Sequence, residues 1–98
     1  LALGDETSEQ ARDVFVAAAD DGQRDRAMAI AIELRGAGLS AETDLAGRSL
    51  KGQLKQADRI GARRTLILES DGAAQIRDMQ SGEQETIDAS EAVAKLGG

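Results

Sequence analysis

Between Asp13 and Thr43 the chain switches from one hydrophobic period to another and back, and this restricts its fold more than any other feature of the sequence. Val14-Phe15-Val16-Ala17-Ala18 is an unbroken apolar run rich in β-branched side chains. A half-exposed strand would alternate apolar and polar residues, so the run predicts a strand covered on both faces. Asp20, Asp21 and Gly22 interrupt it, and the two aspartates are read as N-capping side chains. Ala27, Ile30, Ala31 and Leu34 then recur at helical spacing, with Met28 and Ile32 widening the stripe. Gly36 and Gly38 end the helix, since glycine accepts the left-handed conformation common at a helix exit. Leu39 to Thr43 reads as a second strand. Strand, helix and strand joined by short connections form a right-handed crossover with parallel strands.

The rest of the chain extends this unit. Ser49 is placed to cap a second helix whose apolar side is Leu50, Leu54, Ala57 and Gly61, while Lys51, Lys55 and Arg59 repeat along another face. Thr65 to Leu68 is apolar enough for a central third strand. Ala74 to Met79 and Glu83 to Ile87 flank Gln80-Ser81-Gly82, a hairpin signal. Asp88 caps a closing helix from about Ala89 to Leu96. These elements predict an α/β fold, a three-layer α/β/α sandwich on a mixed sheet of about five strands. Leu1 to Arg12 reads as a linker, leaving residues 13–98 as one domain.

The chain has 98 residues, enough for one core and too few for a large multidomain enzyme. It contains no cysteine and no histidine, which removes disulfides, thiolate metal sites and the commonest general base. No run approaches a membrane span and the first residues lack the pattern of a signal peptide, so a cytoplasmic protein is expected. The sole aromatic residue is Phe15, inside the first apolar run, so any base recognition must use guanidinium groups, amides and carboxylates instead of stacking rings.

Charge is unevenly spread. From Gly47 to Arg64 six basic residues face one acid, Asp58, a net +5 that leaves −11 for the remainder of a chain whose total is −6. Arg48, Lys51, Lys55 and Arg59 form a row that could neutralise phosphates, or equally a solvated helix face. The turn Asp44-Leu-Ala-Gly-Arg48 follows a parallel strand, where open α/β sheets bind ligands, and could also be a plain connection. Arg77 shares a strand face with Gln75 and Met79, as a contact residue or as an exposed charge protecting an edge. A phosphoacceptor receiver would need an aspartate ending the third strand and a lysine beyond it. Here Glu69 and Asp71 stand there, and the next lysine is Lys95 in the last helix. On these residues alone, a small-molecule-binding or phosphoacceptor domain stays open beside an anion-binding one.

The segment Asp44-Leu-Ala-Gly-Arg-Ser-Leu-Lys-Gly-Gln-Leu-Lys-Gln-Ala-Asp-Arg-Ile-Gly-Ala62 resembles the C-terminal anticodon-binding domain of histidyl-tRNA synthetases, class II aminoacyl-tRNA synthetases. Val14-Phe-Val-Ala, Ala31-Ile-Glu-Leu-Arg-Gly-Ala-Gly-Leu39 and Ile76-Arg-Asp-Met-Gln-Ser-Gly-Glu-Gln84 follow in that family's order, so the similarity runs from about Asp13 to Leu96. The resemblance implies a sheet of order 2-1-3-4-5 with strand 4 antiparallel, and a domain that holds tRNA while a separate catalytic domain of the same parent chain joins histidine to it. It implies Arg48, Lys51 and Lys55 near phosphates and Arg77 near bases, no catalytic residue, metal or cofactor in this piece, and ATP with magnesium in a homodimeric parent. Leu1-Ala-Leu is similar to the end of the helix after the last catalytic motif, making Leu1 to Arg12 the linker from that domain. A regulatory synthetase-like subunit or a tRNA-sensing domain of a stress kinase would share these features. Glu69-Ser-Asp-Gly-Ala-Ala74 is shorter than the corresponding loop of many family members.

Overall fold

The computed structural model describes residues 12–44 and 46–97. The linker expected over Leu1 to Arg12 lies outside them except for Arg12, which opens the first strand. In chain order the elements are β1 (Arg12–Ala18), a 3-10 turn (Asp21–Gln23), α1 (Arg24–Gly36), β2 (Ala41–Thr43), α2 (Leu50–Arg59), β3 (Ala62–Leu68), β4 (Ala73–Asp78), β5 (Gln84–Asp88), a second 3-10 turn (Ala89–Glu91) and α3 (Ala92–Gly97). The sheet order is β2-β1-β3-β4-β5, with β1 parallel to β2 and β3, and β4 antiparallel to both its neighbours. The expected fold class and strand order are the observed ones.

Alternation along β1 feeds two cores. Val14, Val16 and Ala18 pack with Leu66, Leu68, Ala74, Ile76 and the inner sides of α1 and α3. Phe15, Ala17 and Ile67 pack on the opposite face with Ala57 of α2. Phe15, Leu66 and Leu68 are fully enclosed, each burial contributing roughly 1.5–3 kcal/mol. A strand sandwiched this way has no solvent face, which is why its sequence does not alternate.

Several local details depart from the sequence reading. Met28 and Ile32 do not widen the buried stripe: both are exposed, because α1 meets the sheet along only Ala27, Ile30, Ala31 and Leu34. The aspartates before α1 do not cap it through their side chains; Asp21 instead pairs with Arg24 at 2.8 Å. Strand β2 is shorter than expected, since the Leu39 amide still donates to Leu34 and the Ser40 amide to the Asp13 carboxylate. Strand β3 begins earlier, at Ala62, its first residues disguised by the exposed charges of Arg63 and Arg64. The other caps are as expected. Ser49 Oγ accepts from the Gly52 amide, and Asp88 accepts from the Ser90 amide at 2.9 Å.

Candidate nucleic-acid interface

Helix α2 is held to the sheet by one amide. Gln53 is 2% exposed; its Nε2 donates to the carbonyls of Ala18 at 2.9 Å and Arg48 at 3.0 Å, and its Oε1 accepts from the Ala18 amide at 2.8 Å. Because β2 ends at Thr43, opposite Val16, nothing from that strand reaches Ala18. The Gln53 side chain supplies the missing pairing. The expected apolar side of α2 is therefore corrected: Gln53 and Ala57 are its most buried residues, while Leu50 and Leu54 are half-buried and Gly61 lies beyond the helix and is exposed.

The turn after β2 is organised around Asp44, whose side chain is only 1% exposed. Arg48 reaches it through its amide at 2.8 Å and its guanidinium at 2.5 Å, and Arg24 approaches at 3.7 Å. Burial pushes the Asp44 carboxyl up, but the hydrogen bonds from the Arg48 amide and guanidinium and the Ala46 amide outweigh it and hold the group below its ordinary value. Gly47 has φ +79°, and a Cβ there would stand 3.5 Å from the Arg24 guanidinium. Leu45 lies outside the described residues.

These contacts divide the basic row into unequal parts. Arg48 is engaged by Asp44, whereas among the described residues neither Lys51 nor Lys55 has an ion-pair partner. Arg59 continues the row and donates to Gln56 at 3.4 Å. Arg63 and Arg64 leave the row altogether; with Asp13, Asp58 and Asp78 they line an open groove of about 720 Å³ where β1 and β3 begin. Gln56 faces a second groove beside Glu42 and Thr43, on the β2 side of α2. At about 100° per residue, Lys51 and Lys55, two positions either side of the buried Gln53, both point away from the sheet on the outer face of α2.

That half of the sheet face is polar. α2 packs on β1 and β3, and next to it Gln75, Arg77 and Met79 of β4 stand beside Gln84 and Thr86 of β5. Arg77 is opposite Thr65 on one side and Gln84 on the other. Its Nε is buried and has no hydrogen-bond partner, an unmet donor that ordinarily costs about 1–3 kcal/mol. Gln75 donates to Glu69 at 2.6 Å and accepts from Gln84. Below this face the hairpin turn is fixed by Asp78, whose carboxylate accepts from the Gln80 and Ser81 amides at 2.8 and 3.0 Å. Those two bonds, Ser81 first, hold its carboxyl below the ordinary value.

The structure thus brings Lys51, Lys55 and Arg77 to one side of the molecule, and sets Arg48 at the head of α2 in an ion pair. Sequence reasoning missed Gln53 and Gln84, and met Glu69 only as the residue that ends the third strand and opens the shortened loop. Gln53 sits at the i+3 spacing from Leu50 that would have marked it as inward-facing, and Gln84 is the cross-strand partner of Arg77 once the turn is counted. Among the described residues no group of acidic side chains could hold a metal ion, and no helix is long and apolar enough to cross a membrane.

The family model described as the anticodon binding domain matches residues 13–97. A histidine-tRNA ligase of Saccharopolyspora erythraea is 46% identical over 101 aligned residues, covering 98% of this chain and 23% of that protein. One of Acetivibrio thermocellus is 41% identical, covering 86% of this chain and 21% of that protein. The crystal structure of Staphylococcus aureus histidyl-tRNA synthetase superimposes with a TM-score of 0.83 at 31% identity, over 92% of this chain and 24% of that one. The chain spans about a fifth of the length of the curated relatives it matches.

Proposed function

Because this chain belongs to the anticodon-binding domain family, we propose that it is the tRNA-binding part of a histidine-tRNA ligase, holding the anticodon loop while another part of the parent protein performs ATP- and magnesium-dependent histidylation. The parent is a cytoplasmic homodimer in this reading. The observation that carries it is the polar strand face with an unmet guanidinium donor next to a helix whose Lys51 and Lys55 have no ion-pair partner among the described residues. A phosphate backbone running along the exposed flank of α2 would be neutralised by Lys51 and Lys55, with Arg48 contributing after sharing its charge with Asp44. The bases would then lie toward β4 and β5, within reach of Arg77. Phosphate contacts position the strand and carry no sequence information; base-edge hydrogen bonds carry it. Charge and readout are thereby assigned to different elements of one surface.

The test is binding of the 98-residue chain to an anticodon stem-loop RNA, followed by fluorescence anisotropy at several salt concentrations. We expect weak binding that fades as salt rises and depends on the loop sequence. Binding indifferent to both loop sequence and salt, or none at all, refutes the reading. The same chain should give no histidine-dependent ATP-pyrophosphate exchange; measurable exchange would contradict a purely binding role.

A further inference from the structure

Glu69 ends β3 and opens the loop to β4, and its backbone is fixed there: its amide donates to the Ala73 carbonyl at 3.0 Å and its carbonyl accepts from the Gly72 amide at 3.3 Å. Its carboxylate is the terminus of a side-chain relay across the open strand face, Gln84 to Gln75 to Glu69. An ionised carboxylate accepts hydrogen bonds and donates none. Gln75 must therefore turn its nitrogen to Glu69, which leaves its oxygen facing Gln84. Gln84 must in turn present its nitrogen to that oxygen, and its own carbonyl is left on the open side. Directly opposite Gln84 is Arg77, which has only donors, one of them buried and unmet.

We infer that Glu69 is a specificity-determining positioning residue which, acting through Gln75, orients the Gln84 amide so that an acceptor stands beside the Arg77 donors and together they read one base edge of single-stranded RNA. The inference rests on the RNA-binding role proposed above. Glu69 touches no base in this scheme. Its contribution is the order of donor and acceptor: with a neutral amide at position 69 the relay runs in either direction, and Gln84 presents NH₂ or C=O indifferently. Base edges differ from one another in that order, so the site loses discrimination without losing its phosphate contacts.

Two variants test this. Glu69→Gln keeps the shape and frees the polarity. Glu69→Gln with Gln84→Glu moves the acceptor-only group to the other end of the relay, reversing Gln75 while restoring an acceptor beside Arg77 at unchanged net charge. Affinities are measured for an anticodon stem-loop and its single-base loop variants, with thermal unfolding to follow the fold. For the unsubstituted 98-residue chain we expect about 5- to 150-fold discrimination at one loop position. Glu69→Gln should reduce it to within about threefold at an unchanged salt slope, and the double variant should restore it. Retained discrimination in Glu69→Gln overturns the inference, as does equal weakening of every RNA or a double variant that restores nothing. Absence of binding by the unsubstituted chain itself overturns the functional reading and this one with it.

Discussion

Replacing Gln53 by glutamate changes almost nothing in shape and removes only hydrogen-bond donors. The carboxylate could still accept from the Ala18 amide, but it would face the Ala18 and Arg48 carbonyls, which Gln53 now supplies with donors at 2.9 and 3.0 Å in a site 2% exposed. An unpaired buried carboxylate escapes by taking a proton. Protonating an ordinary glutamate at pH 7 costs about 1.4 kcal/mol for each unit above its pKa near 4.3, so the loss is bounded near 3.7 kcal/mol for this step. One of the two donor bonds is not recovered, which adds about 1 kcal/mol. The substituted group has a raised pKa in the folded state, so folding binds a proton and the deficit relative to wild type shrinks as pH falls toward 4.3. Urea unfolding followed by circular dichroism at pH 7 and pH 4.5 measures both numbers. A Gln53→Glu deficit below about 1 kcal/mol at pH 7, or one that does not change between the two pH values, refutes the account of Gln53 as a surrogate strand partner.

The remaining predictions concern the interface and the turn that heads α2. Lys51→Ala and Lys55→Ala should each weaken all loop sequences alike and flatten the log-log salt dependence by about 0.7 for each phosphate left without its lysine, measured by anisotropy titrations. Arg77→Ala should reduce discrimination between the cognate and a mutated loop by about 5- to 150-fold at most, with little change in salt slope; equal loss for both RNAs would place Arg77 among the phosphate contacts. Asp44→Ala should destabilise the fold by about 1–2 kcal/mol, a modest figure because Arg24 and Arg48 remain partly solvated. Since the Asp44 carboxyl is held below its ordinary value of 3.8, the stability it contributes is present above that pH and is lost below it. The variant should therefore match wild type more closely in acid unfolding below pH 3.8 than at neutrality.

The β-α-β crossover was legible because Val14 to Ala18 and the Ala27-Ile30-Ala31-Leu34 stripe carry different periods, and the hairpin because Gly82, at φ +81°, closes it. Ser49 and Asp88 were legible as caps because capping depends on neighbours two or three residues away. What sequence could not supply was anything set by contacts across the chain. Gln53 looks like an ordinary helix glutamine until the early end of β2 leaves Ala18 without a partner 35 residues away. Asp44 looks like a turn residue until Arg24 and Arg48 converge on it. Six basic residues close together in sequence look like one surface, yet β3 carries Arg63 and Arg64 away from α2.

That separation explains how a chain with net charge −6 and a single, buried aromatic residue can still offer a surface to RNA. A field set by total charge would repel phosphate at long range, but at physiological salt it decays over about 8 Å, so the charges within one helix turn of the strand decide the contact. Lys51 and Lys55 have no acidic partners among the described residues, whereas Arg12, Arg48 and Lys95 are each paired with one and Arg24 with two. Without aromatic rings, base affinity must come from hydrogen bonds whose worth depends on keeping water out. A half-buried Arg77 between Thr65 and Gln84 satisfies that condition better than an arginine on a free loop, because its donors are already partly desolvated before RNA arrives. On the proposed reading, the unmet Nε of the free protein would gain its partner on binding, and only from a ligand that places an acceptor there.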